Sequence, residues 1–214
     1  MSNRPVQRFV SASAATLGWF ALALQLWLTV QLTRSHGGST LAGAWIYLDY
    51  FTVLTNGVLA TALTVDARGP RGQFGRWLMQ PESIIAVAAS IFIVGMVYNL
   101  ALRGLWQPTG WQRLADELLH VVMPLLGLGF WWLATAGRRV GARRLLAWLL
   151  YPLGYLAYAL ARGAIDGRYP YPFLEVATLG YPRVLMNAAG VACAFALTGG
   201  VLFVVTRWRA RWSG

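Results

Sequence analysis

Lysine is absent from this 214-residue chain, and cysteine and histidine are nearly so, with Cys193, His36 and His120 the only examples. One cysteine excludes an intramolecular disulfide, and in an apolar run it says nothing about redox compartment. Two histidines without a cysteine cluster leave little for zinc, which takes three or four protein ligands. A set could be imagined from His120, Glu117, Asp116 and Asp49, but no HExxH-like pair is present, so no metal is expected. His36 sits in the polar 34–40 loop, which makes a bis-histidine haem poorer still. No serine stands in a GxSxG elbow, and no glycine-rich phosphate loop occurs. No cofactor is expected, and there is no internal repeat or low-complexity segment.

Charge is the other scarcity. Charged residues make up 12% of the chain, against about 25% in a soluble domain. Hydrophobic residues make up 57%. A surface facing lipid needs no charge, and spans of about 20 residues each consume a chain of this length without leaving room for a soluble domain. All 18 basic residues are arginine. With heavy alanine, glycine, leucine and tryptophan usage, this is the composition of a GC-rich bacterial genome.

The apolar runs predict an all-α, polytopic membrane protein, a six-helix bundle forming one domain over residues 1–214. The helices are expected over residues 10–32, 45–65, 83–102, 114–134, 145–161 and 184–206. The first follows Arg4 and Arg8 as a secretory signal does. Its 23 uncharged residues exceed the ~7–15 of a signal's apolar region, so it is expected to stay as an anchor.

Arginine placement then predicts orientation. Arg4, Arg8, Arg68, Arg71, Arg76, Arg138, Arg139, Arg143, Arg144, Arg207, Arg209 and Arg211 fall on one side. Arg34, Arg103, Arg113, Arg162, Arg168 and Arg183 fall on the other. Cytoplasmic loops keep the basic excess, so both termini are expected inside a bacterial inner membrane. The net charge of +11 is explained by this asymmetry, and nucleic acid is not expected as a partner. Trp45, Trp106 and Trp111 are expected at the outer interface, and Trp77, Trp148, Trp208 and Trp212 at the inner one. The glycines at 127, 129, 199 and 200 are expected to permit close helix contact.

Polar residues in lipid are costly and therefore informative. On the second helix Asp49, Thr52 and Asn56 share a face at i, i+3 and i+7. On the fourth, Asp116 and Glu117 precede His120, which the ~1.5 Å rise per residue puts at the depth of Thr52. Asn99 and Tyr98, Tyr158 with Arg162, and Asn187 arrive at the same level from the other helices. One polar cavity in the outer half of the bundle is expected. Pro124 cannot donate to the carbonyl of His120, so a kink and a freed acceptor are expected beside the imidazole.

A threonine hydroxyl is a weak nucleophile until a base takes its proton. His120 is the candidate base, with Glu117 or Asp116 to orient it. Asn56, Asn99, Asn187 and Tyr158 are candidate donors to a developing oxyanion. The same cavity also suits non-catalytic binding or transport of a lipid or small molecule, and a polar cluster can simply join helices.

Three segments carry a resemblance: Tyr50-Phe51-Thr52-Val53-Leu54-Thr55-Asn56, Leu118-Leu119-His120-Val121-Val122-Met123-Pro124, and Tyr171-Pro172-Phe173-Leu174-Glu175. In order and spacing they resemble the androgen-induced-gene/ADTRP family of multi-span membrane proteins and its bacterial six-span (Pr-six-Pr) relatives. The resemblance implies hydrolysis of fatty acid esters of hydroxy fatty acids, with the family's threonine falling on Thr52 and its histidine on His120. The histidine-to-proline spacing is one residue shorter here, and Thr55 is a rival nucleophile. The implied partner is a membrane lipid or acyl-lipid substrate entering from the bilayer. Glu175 and Pro172 belong to the outer loop entering the last helix, read either as a structural turn stiffened by Pro170, Pro172 and Pro182 or as a rim of the cavity with Glu175 paired to Arg162 or Arg183. Oligomeric state is not legible.

Overall fold

The computed structural model describes residues 4–212, and among them there are helices and no strands. The chain runs α1 (Arg4–Ser35), α2 (Thr40–Tyr47), α3 (Phe51–Arg68), α4 (Gly72–Leu78), α5 (Pro81–Val97), α6 (Gly110–Glu117), α7 (Met123–Ala134), α8 (Ala142–Ala147), α9 (Leu150–Asp166) and α10 (Val176–Arg211). A π-helical turn at Tyr98–Leu102 continues α5, and another at Leu118–Val122 joins α6 to α7.

Four stretches are long and apolar enough to cross a membrane: Arg4–Ser35, Pro81–Leu105, Gly110–Ala134 and Val176–Arg211. The pair α2 and α3, bent by 78°, makes a fifth if taken as one crossing. At 17 residues, α9 spans about 25 Å at ~1.5 Å per residue, short of a ~30 Å hydrocarbon layer. The central element is α5. Ile84, Ile85, Ile91 and Ile93 on it are almost wholly buried, packed by α3, α7 and α10.

Three expectations about helix continuity are corrected, and in the first a turn at residues 148–149 divides the helix expected over 145–161 between the end of α8 and α9. The helix expected over 45–65 is broken at residues 48–50, with α3 starting only at Phe51. Asp49 therefore lies in the break rather than on a common helical face with Thr52 and Asn56. The last helix begins earlier than residue 184, and Gly180 interrupts it with non-helical angles of φ 70° and ψ 157°. Glycine tolerates a positive φ that other residues resist, and Pro182 two residues on has no N–H to leave unpaired. Of the four glycines expected at helix contacts, only Gly127 is in one; a Cβ there would meet Ile91 Cγ2 at 2.6 Å. Gly129, Gly199 and Gly200 have nothing within 4 Å of such an atom, so a Cβ at each would meet open space.

Candidate active site

Thr52 is the second residue of α3, at the helix end exposed by the break. A helix start has backbone N–H groups without intrahelical acceptors, and the partial positive charge of the dipole sits there. Buried ionic contacts hold the break open. Asp49 is 5% exposed and Arg162 from α9 is 4% exposed; Arg162 Nη1 lies 3.1 Å from Asp49 Oδ1. The same nitrogen donates to Trp45 O at 3.0 Å and to the Tyr158 hydroxyl at 2.7 Å, and the guanidinium lies 3.9 Å from the centre of the Trp45 ring. Tyr155 and Tyr158 donate to the carbonyls of Asp49 and Leu48. The unravelled backbone is thus satisfied from α9.

His120 lies within the second π-turn. A π-turn adds a residue to one helical turn and often marks a functional position. Pro124 explains it here: lacking an N–H, it leaves the carbonyl of His120 free. Asn99 takes that carbonyl, donating from Nδ2 at 3.2 Å. Gly95 makes the close approach possible, since a Cβ there would lie 3.0 Å from the Pro124 ring and 3.1 Å from His120 O. The expected freed acceptor is present, and its partner comes from the first π-turn.

The two helices bring Thr52 Oγ1 to 3.3 Å from His120 Nε2. The other ring nitrogen, Nδ1, lies 3.0 Å from Asp116 O and 3.3 Å from Asp116 Oδ1. With Nδ1–H donating to these oxygens, Nε2 is left as the acceptor for the threonine hydroxyl. Tyr98 completes the chain: its hydroxyl donates to Asp116 Oδ2, and its ring stacks on the imidazole at 3.8 Å and 17°.

Asp116, then, and not Glu117, backs the histidine. Glu117 turns outward to a surface pair with Arg103 at 2.8 Å, because adjacent helical residues point about 100° apart. Thr55 is buried and shares a hydrogen bond of 3.0 Å with Tyr151, away from the imidazole.

None of the four candidate oxyanion donors is directed at Thr52 Oγ1. Asn56 Nδ2 donates to Thr52 O and Leu119 O, Asn99 Nδ2 to Gly95 O and His120 O, Asn187 Nδ2 to Phe173 O, and the Tyr158 hydroxyl to Leu48 O. Each meets a main-chain carbonyl, the demand that buried backbone makes first. Nor does Glu175 pair with Arg162 or Arg183 among the described residues; it sits at the start of α10, and Arg162 is taken by Asp49 and Asp166.

In place of those donors stand groups that spacing did not single out. Tyr171, from the loop before α10, lies against the Thr52 hydroxyl and backbone N–H and against Tyr155. Burial pushes its phenol up, and these hydrogen bonds draw it back down. The Phe51 N–H meets Tyr155. Tyr171 also lies edge-on to Tyr50, with ring centres 6.1 Å apart. The only sequence signal for it was its place in the Tyr171–Glu175 pentapeptide.

Beside Thr52 opens a cavity enclosing ≈ 720 Å³ of empty space, its mouth included. Its walls come from α3, α5, α9, α10 and the Tyr171–Leu174 loop, and its polar side chains are the hydroxyls of Thr52, Tyr98, Tyr155 and Tyr171. Concave, mostly apolar sites with a few convergent polar groups are the usual form of small-molecule sites. Among the described residues no three His, Cys, Asp or Glu side chains gather closely enough to hold a metal ion. No known family model, curated protein or solved structure matches this chain.

Proposed function

We propose that this protein is an intramembrane threonine hydrolase that cleaves esters of long-chain lipids, such as fatty acid esters of hydroxy fatty acids. The observation that carries this reading is the 3.3 Å contact between Thr52 Oγ1 and His120 Nε2, backed by Asp116 and opening on an apolar cavity. A nucleophile within reach of a base that a third group orients is the recurrent arrangement of covalent acyl transfer.

In the first half-reaction the Thr52 oxygen bonds to the ester carbonyl carbon and its proton passes to His120 Nε2. The negative charge on the carbonyl oxygen is met by the Tyr171 phenol, which lies against the Thr52 hydroxyl. The carbon–oxygen bond to the alcohol then breaks, and His120 gives its proton to the departing oxygen. In the second half, water attacks the acyl-threonine, His120 takes its proton and returns it to Thr52, and a fatty acid leaves. Asp116 holds the imidazole in the required tautomer throughout, as the acidic member of a triad does.

The bundle crosses a bacterial inner membrane six times, with α9 as the sixth crossing and both termini in the cytoplasm. Support comes from the arginine asymmetry, twelve against six. That orientation puts the site in the outer leaflet. The three sequence segments that resemble the ester-hydrolysing family hold Thr52, His120 and Tyr171.

The test is turnover of a long-chain ester by detergent-purified protein, with a fluorophosphonate probe and a peptide map. Turnover lost in both Thr52→Ala and His120→Ala, with the probe on Thr52, is the expected result. Saturable lipid binding with no adduct and no turnover would establish a binding protein instead.

A further inference from the structure

The cavity touches Thr52 but not His120. Tyr98 stands between them, stacked on the imidazole by one face and lining the cavity. This partition has a chemical consequence for an ester whose carbonyl carbon reaches Thr52 Oγ1. The oxygen of the departing alcohol must receive its proton from His120 Nε2, so the alcohol lies on the imidazole side of Tyr98. The acyl chain is left with the cavity.

Resting on the hydrolase reading, we propose that the cavity is an acyl-chain subsite and that its α10 wall sets the acyl length accepted. Ala188, Ala192 and Phe195 line it at i, i+4 and i+7, one face of a helix. From Ala188 to Phe195 that face runs about 10 Å at ~1.5 Å rise per residue. The two alanines leave room for a chain. Phe195 is 6% exposed and lies edge-on to Phe51 with ring centres 5.7 Å apart, so it closes one end. The opposite wall on α5 is Ile93, Val94 and Val97. Among the described residues no charged side chain lines the cavity, and an apolar lining of this kind suits a hydrocarbon chain.

The experiment compares 4-nitrophenyl butyrate, octanoate and palmitate with the full chain in detergent, subtracting Thr52→Ala as a blank. Wild-type kcat/KM rises with chain length. Ala192→Phe fills the wall and lowers the palmitate-to-butyrate ratio by about tenfold or more, the range a few methylenes command in an apolar pocket. Phe195→Ala opens the end and raises the same ratio. Ala189→Phe, on the exposed side of the same helix, keeps the wild-type ratio. Because the two cavity variants act in opposite senses, either one decides if the other does not fold. Thr52-dependent turnover with an unmoved ratio in the folded cavity variants overturns the subsite and leaves the hydrolase standing. Absence of Thr52-dependent turnover for every ester overturns both.

Discussion

The two halves of the proposed catalytic pair are prepared in different ways. At Thr52 a helix is stopped and restarted, across a 78° bend, and what the break frees is backbone N–H, which Tyr155 and Tyr171 take. At His120 the helix is not stopped but widened by a π-turn, and what becomes available is a carbonyl, which Asn99 takes. The difference matches the proposed chemistry. A nucleophile whose substrate will carry negative charge gains from the positive end of a dipole and from a phenol held beside it. A base gains from a rigid ring, and the π-turn holds the ring between Tyr98 and Asp116. Breaking a helix exposes more backbone than widening it, and at the break the buried pair of Arg162 and Asp49 lies against that backbone.

The largest effect should come from joining neither element to chemistry. Thr52→Ala and His120→Ala should each lower kcat for a long-chain ester by roughly 10²–10⁴-fold, the scale of a lost base, measured beside retained thermal stability. Next comes the break. Arg162→Met leaves Asp49 buried without its partner and should cost about 3–5 kcal/mol, read as a fall in the unfolding midpoint. If stability is unchanged, the break is not held by this pair.

Tyr171→Phe sharpens the comparison at Thr52, because it removes the donor assigned to the oxyanion while keeping the ring. A fall in kcat of about 10²-fold is expected, with KM little changed; wild-type kcat would remove Tyr171 from the oxyanion site. At the π-turn, Gly95→Ala forces a methyl against Pro124 and His120 O. Overpacking of this kind costs about 1–3 kcal/mol, and thermal unfolding measures it. The smallest effect is Asn99→Leu, which strands one carbonyl at a cost of about 1–3 kcal/mol if no water reaches it. Asn99 is exposed, so the lower end is expected, with the same measurement.

Much of the site was legible before any fold was known, and for definite reasons. Equal depth of Thr52 and His120 follows from helix rise and the run of apolar residues, and 3.3 Å is the outcome. The freed carbonyl of His120 follows from the missing N–H of Pro124. The break at 48–50 was not legible, because Leu48-Asp49-Tyr50 contains neither glycine nor proline. Its partner Arg162 lies more than a hundred residues away along the chain. The hydrogen bonds of the asparagines were not legible for a related reason: Asn56, Asn99 and Asn187 each donate to a main-chain carbonyl brought to them by the packing.

By itself, then, the order of residues determined an all-helical chain rich in spans, and the level in the bundle at which polar groups collect. Hydropathy and the 1.5 Å rise act along one helix at a time, and both can be read from a string. Which carboxylate backs the imidazole, which hydroxyls face the nucleophile, and where a helix breaks were decided only by tertiary packing. Those outcomes depend on how each helix is rotated and on which distant side chain competes for each backbone group, and neither is a property of any single segment.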